Sequence, residues 1–198
     1  MPAQSRREFV AGAAGRIECA VDEPEGGASR GVALLAHPHP LYGGTLDNKV
    51  AQALARAFVE LGYAAWRPNF RGVGRSEGVH DQGRGELEDL LAVLNYAGAQ
   101  RPALAGFSFG AALVAQAAKR VEAERLVLVG LAVNRLAVPP VPADTIVIHG
   151  ELDTTVPLGE VLDWARPQEL PVVVIPGADH FFHRRLALLR ALVKGSWK

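Results

Sequence analysis

The sequence predicts an α/β protein, a mostly parallel β-sheet with helices on both faces. Two observations carry this expectation. Short, almost continuously apolar runs recur along the chain, among them GVALLAH (31–37), ALAGFS (103–108) and RLVLVGLAV (125–133). A strand that is apolar throughout is buried on both faces, as strands of a parallel sheet are. Between these runs lie stretches whose apolar residues return every three or four positions, the pattern of helices packed by one side. With 198 residues the chain can bury a substantial core. No repeat, low-complexity tract or linker divides it, so residues 1–198 are expected to form one domain.

Taken in order, EFVAGAAGRIECAV reads as two short strands joined by a Gly-containing turn, and PEGGASRG (24–31) as a turn cluster. Strand 31–37 follows. Asp47 to Gly62 is expected to be helical, with Val50, Leu54, Ala57, Phe58 and Leu61 on one face, Thr45 or Asp47 as N-cap and Gly62 as its stop. YAAWRP is a strand, and 85–98 a helix turning Leu87, Leu90, Leu91 and Leu94 inward. Strand 103–108 leads into a helix over 109–122. Strands 125–133 and 144–150, a helix over 156–165, a strand over 171–177 and a helix from Phe182 onward complete the chain.

Composition narrows the function classes. Lys plus Arg and Asp plus Glu are 21 each, so no net charge draws the chain to nucleic acid or an anionic membrane. The lone cysteine, Cys19, excludes an internal disulfide, and its alternating context suits a small buried apolar side chain. Ser5-Arg6-Arg7-Glu8-Phe9-Val10 has the look of a twin-arginine export motif. The apolar stretch after it is broken by Arg16 and Glu18, too soon for an export signal. No stretch is long enough to cross a membrane, and a cytoplasmic location is expected.

The chemistry concentrates at Gly106-Phe107-Ser108-Phe109-Gly110, a G-x-S-x-G between an apolar strand and an apolar helix. A serine on so sharp a turn is held out as a nucleophile, and glycines two positions either side allow strand and helix to approach closely. A second match, Gly74-Arg75-Ser76-Glu77-Gly78, has no strand directly before it and polar residues after it. Ser76 is therefore expected to be a loop residue.

Serine requires a base, and the base an orienting carboxylate. HGELDTTVP (149–157) follows one apolar strand and carries Asp153; PGADHFFH (176–183) follows the last and carries His180. Asp153 could instead only cap the next helix. His183 competes with His180 but is expected to lie on the C-terminal helix, while Asp179 is expected to hold the loop. Two amide N–H groups should receive the oxyanion. One is that of Phe109, after the serine; the other comes from the loop His37-Pro38-His39-Pro40-Leu41-Tyr42-Gly43-Gly44. Pro38 and Pro40 have no N–H, leaving His39, two residues past the strand, or Leu41. His37-x-His39 has no third ligand at a matching spacing, so no metal is expected.

Together, AHPHPLYGGTLDNKV, NFRGVGRSEG, GFSFGAALVA, HGELDTTVP and PGADHFF resemble the α/β-hydrolase superfamily, in particular a small lidless bacterial branch near the dienelactone-hydrolase-like esterases. The resemblance runs over roughly residues 8 to 195. It implies an eight-stranded, mostly parallel sheet with helices on both faces and a Ser108–His180–Asp153 triad. Many relatives insert a cap domain after the sixth strand, where NRLAVPPVPA is too short for one, so no cap and an open site are expected. The nucleophile is serine, unlike the cysteine of true dienelactone hydrolases.

The expected activity is hydrolysis of small carboxylic esters through an acyl-enzyme without a cofactor, with Tyr42, Phe107 and Phe181 lining the substrate site. Thioester or small-peptide hydrolysis and acyl transfer by the same triad are alternatives, and a non-catalytic binding module is a further class. Trp197, expected to be exposed, and the C-terminal helix offer a surface for dimer contact.

Overall fold

A computed structural model describes residues 5–197. A hairpin of β1 (Ser5–Gly12) and β2 (Gly15–Asp22) opens the chain, paired from Ser5 opposite Asp22 to Gly12 opposite Gly15. It joins antiparallel to β4 (Ala64–Pro68). The other strands are β3 (Val32–Ala36), β5 (Ala103–Phe107), β6 (Arg125–Val129), β7 (Ile146–Gly150) and β8 (Val172–Ile175). The eight form one sheet in the order β1-β2-β4-β3-β5-β6-β7-β8, parallel from β4 to β8.

The core follows from the period of two along these strands. Leu34, Leu104, Leu126 and Leu128 pack with Leu90 and Val93 of α2 (Arg84–Tyr96) and with α3 (Phe109–Ala117). Ala33, Leu35, Ala105 and Val127 pack with Leu54 and Phe58 of α1 (Lys49–Glu60) and with Leu189 and Val193 of α5 (Leu186–Ser196). Val161 and Ala165 of α4 (Leu158–Ala165) cover Val147. Between Val129 and Ile146 the chain forms neither helix nor strand, so nothing caps the strand ends there. No helix among the described residues is long and apolar enough to cross a membrane.

Several boundaries differ from the sequence expectation. Asn48, rather than Thr45 or Asp47, caps α1: its Oδ1 accepts the Val50 and Ala51 N–H groups at 2.9 and 3.3 Å. In α2 Leu90 and Leu94 are buried together with Val93, and Leu87 and Leu91, half-buried, pack against the same core as expected. Helix α3 ends at Ala117 rather than 122. The strand expected over 125–133 stops at Val129, because Gly130 turns the chain away with φ 54°. The C-terminal helix starts at Leu186, not Phe182. Phe182 and Arg184 have φ of 53° and 60°, which no α-helix accommodates. His183 therefore lies in a turn, not on a helix.

Trp197 is buried rather than exposed. Its indole N–H donates to Tyr63 Oη at 3.0 Å and its ring meets Phe58 edge-on at 4.8 Å, closing the core beneath α1 and α5.

Cys19 lies on β2 with no exposed surface, and burial, reinforced by the Glu18 charge, pushes its thiol up to about 12. The thiolate is the reactive form. Folded protein at pH 8 is expected to leave Ellman's reagent unreacted for hours, and denatured protein to release one equivalent at once. Rapid reaction of the folded chain would contradict this packing.

Candidate active site

The site is assembled on the turn from β5 into α3. Ser108 sits there with φ 56° and ψ −116°, a backbone conformation that costs a non-glycine residue about 1–3 kcal/mol. The neighbouring glycines make the turn possible. A Cβ at Gly106 would come within 2.4 Å of the Gly110 carbonyl oxygen, and one at Gly110 within 2.3 Å of the Ala36 carbonyl oxygen at the end of β3. Ser108 is further fixed through its backbone: its N–H donates to Val129 O at 2.9 Å, and its carbonyl accepts from Ala111 and Ala112 in the first turn of α3.

The structure brings Ser108, His180 and Asp153 together across 72 residues of sequence. Ser108 Oγ lies 3.1 Å from His180 Nε2, and His180 Nδ1 2.6 Å from Asp153 Oδ2. The carboxylate assigns the tautomer: Nδ1–H donates to Asp153, leaving Nε2 to accept the serine hydroxyl. Asp153 Oδ1 accepts the N–H groups of Thr155 and Val156 at 2.9 and 2.8 Å, so it also shapes the start of the loop before α4. All three side chains are buried. Asp179 pairs with the exposed His183 and accepts its N–H, which holds the 179–185 turn; that contact holds Asp179 below the usual carboxylate range.

The loop after β3 presents an unoccupied amide. Leu41 N–H donates to His39 Nδ1 at 3.2 Å and is thereby committed. The N–H groups of His39 and Phe109 meet no protein acceptor among the described residues. A buried polar network holds this loop. His37 Nδ1 lies 2.6 Å from Pro38 O, and its Nε2 accepts the Phe70 N–H at 3.0 Å. Leu46 N–H donates to Asn69 Oδ1, and Asn69 Nδ2 to Glu18 Oε2, each at 2.8 Å.

Of the aromatic residues expected to line the site, Tyr42 and Phe181 are exposed, and the Phe181 ring meets that of His180 at 5.2 Å. Phe107 does not line it. On β5 it points into the core with no exposed surface, and its ring supports His180 from below at 4.9 Å. Ser76 is a loop residue, with Oγ donating to Asn69 O and accepting the Glu18 N–H.

Sequence reasoning missed the supporting shell. Glu18 and Glu86 lie outside every motif, and Asn69 opens NFRGVGRSEG without a role read for it, because a buried polar network depends on contacts from distant segments. A further hint was a histidine at the carboxyl end of two apolar strands, His37 and His149. Both are fully buried and held below the ordinary histidine value by that burial. His149 Nε2 lies 2.8 Å from Val156 O and 3.4 Å from Asp153 Oδ2, the oxygen that also faces His180.

The comparisons agree with this architecture. Residues 39–133 match the family model for the α/β hydrolase fold. A Xanthomonas campestris α/β serine hydrolase without a lid superposes with a TM-score of 0.90 at 36% identity, covering 99% of this chain and 94% of that one. An α/β serine hydrolase homologue from Coxiella burnetii gives 0.90 at 37% identity, with 98% and 97% covered. An uncharacterised Rickettsia prowazekii protein is 35% identical over 170 residues, which span 76% of this chain and 71% of the relative. The chain belongs to the α/β hydrolase family, in its lidless form, and is a hydrolase by class.

Burial takes His37 from its ordinary 6.5 down to about 4, against the opposing pull of the Pro38 carbonyl. Between those values the unfolded chain takes up a proton that the folded chain refuses. The stabilisation is therefore complete above pH 6.5 and lost as pH falls towards 4, about 3 kcal/mol for this one residue. Urea unfolding is expected to show that decline. Imidazole nitrogen shifts should show His37 still neutral at pH 5; a His37 protonated there would contradict the burial argument.

Proposed function

We propose that the protein is a serine esterase acting on small carboxylic esters through an acyl-enzyme. The observation that carries this reading is the continuous Ser108–His180–Asp153 hydrogen-bonded line beside two uncommitted amides. His180 Nε2 takes the hydroxyl proton as Ser108 Oγ attacks the ester carbonyl, and Asp153 orients the imidazole and stabilises the imidazolium. The N–H groups of Phe109 and His39 receive the oxyanion; Leu41 is less suited because its N–H is already spent on the His39 ring. His180 then returns the proton to the departing alcohol and activates water to release the acid.

This assignment requires no cofactor and uses residues of one chain and one domain. The open mouth favours small or short-acyl esters over long chains, since no cap supplies apolar enclosure. Thioesterase, small-peptide hydrolase and acyltransferase activities use the same residues and are separated by a substrate panel.

Hydrolysis of p-nitrophenyl acetate, butyrate and octanoate tests the reading. Wild type is expected to prefer the shorter esters, and Ser108→Ala or His180→Ala to lose at least about 10⁴-fold in kcat with the fold intact by circular dichroism. Equal rates in wild type and Ser108→Ala would remove the serine from the mechanism. A fluorophosphonate probe is expected to label wild type at Ser108 only.

The base works only when neutral, so kcat/KM is expected to rise with pH to a plateau. A flat profile with chemistry rate-limiting would count against His180.

A further inference from the structure

The rim on the oxyanion side of Ser108 carries groups that the hydrolytic step leaves unused. Three loops meet there: 37–44 after β3, 79–83 before α2 and 130–136 after β6. The last is tied to the nucleophile, with the Ala132 N–H 3.4 Å from Ser108 O, and the Arg135 N–H closes its turn onto Ala132 O. From there the Arg135 guanidinium lies 6.0 Å from the Tyr42 ring, and Tyr42 lies 4.8 Å from the His39 ring. His39 in turn meets His80 at 4.9 Å and Phe109 at 4.7 Å. His39 and His80 thus border Phe109, the residue next to Ser108, and Arg135 reaches them through Tyr42. The contacts leading through Tyr42 and His39 to Phe109 single out Arg135.

The one carboxylate carried by these three loops, Asp81, is paired with Arg84 at 2.9 Å and accepts the Gly85 N–H at 3.1 Å. Arg135 is exposed and has no carboxylate within ion-pair distance among the described residues. The acid beneath the rim, Glu86, is fully buried. It accepts the Asp81 and Gly83 N–H groups at 2.8 and 2.9 Å and lies 2.8 Å from His80 Nδ1, so its charge is engaged inward. Asp153 is likewise engaged by His180 and two amides. His39 Nδ1 accepts from Leu41, which places the ring proton on Nε2 as a donor. Burial first, then the proximity of His80 and Arg135, holds His39 below the ordinary histidine value, against the opposing pull of Glu86.

We infer that Arg135 and His39 form a subsite for a carboxylate, so that the preferred substrate is an ester carrying a second, ionised carboxyl group. A guanidinium pairs with a carboxylate through two parallel N–H bonds, and the His39 Nε2–H adds to them. In the absence of a cap, this rim is the surface that the non-reacting part of the substrate meets on the oxyanion side. The inference rests on the esterase reading and specifies its substrate class.

The test compares kcat/KM for mono-p-nitrophenyl glutarate with that for p-nitrophenyl pentanoate, an uncharged ester of similar length. Wild type is expected to favour the glutarate half-ester about tenfold at low ionic strength. Added salt should shrink the ratio, and Arg135→Gln should collapse it towards one. Activity on both esters with no preference, or a ratio unmoved in Arg135→Gln, overturns the subsite and leaves the esterase reading standing. Hydrolysis of neither ester counts against the esterase reading instead. Calorimetric titration with glutarate then decides the subsite: weaker binding in Arg135→Gln than in wild type supports it, and equal or absent binding overturns it.

Discussion

The approach of α3 to the ends of β3 and β5 is the constraint on which the site depends. Gly110 lies against the Ala36 and His37 carbonyls and Gly106 against the Gly110 carbonyl, at separations where a Cβ has no room. That closeness leaves the chain one way round the turn and forces Ser108 to positive φ. The strain is sustained because Gly106 and Gly110 are packed closely and the backbone groups of Ser108 are committed. The Ser108 N–H goes to β6, and its carbonyl receives N–H groups from α3 and from the loop after β6. The same turn places the Phe109 N–H at the start of α3, beside the serine, where no preceding turn supplies an acceptor. One packing contact thus fixes the serine and one of the amides near it.

The loop carrying the other amide has no such intrinsic rigidity, and buried polar groups supply it. His37 bridges Pro38 and Phe70, while Asn69 and Glu18 connect the loop to β2 and to the segment after β4. Arg67, paired with Asp22 at 2.9 Å, donates to Leu46 O at 2.6 Å. Such a network is costly when half satisfied and rigid when complete, so removing a member affects loop geometry as well as stability. His37 must remain neutral to accept from Phe70, and its full burial keeps it so.

The parallel sheet, its helices and the serine, acid and histidine were legible because each leaves a local trace. An unbroken apolar run marks a strand buried on both faces, and a short polar loop after such a run marks the carboxyl edge where Ser108, Asp153 and His180 gather. What was not legible depends on tertiary contacts. Phe107 looked like a pocket residue from its place beside Ser108, yet the alternation along β5 turns it into the core. Trp197 looked exposed, and the Tyr63 hydroxyl and the Phe58 ring make it a core residue. The late start of α5 comes from positive φ at Phe182 and Arg184, neither of them a residue type that announces such a conformation.

His149 shows how support and chemistry interlock. Its Nδ1 is buried with no partner, a deficit that costs about 1–3 kcal/mol and that an apolar side chain would avoid. The opposite nitrogen lies against Val156 O and faces Asp153, so a hydrocarbon there would remove the brace as well as the deficit. Asp153 consequently has partners on both oxygens: two amides on one, His180 and His149 on the other. A carboxylate held from that many directions has one orientation, and His180 inherits it. The acid loop, like the serine turn, is thus set by the folded scaffold rather than by substrate, which fits a site that no cap closes.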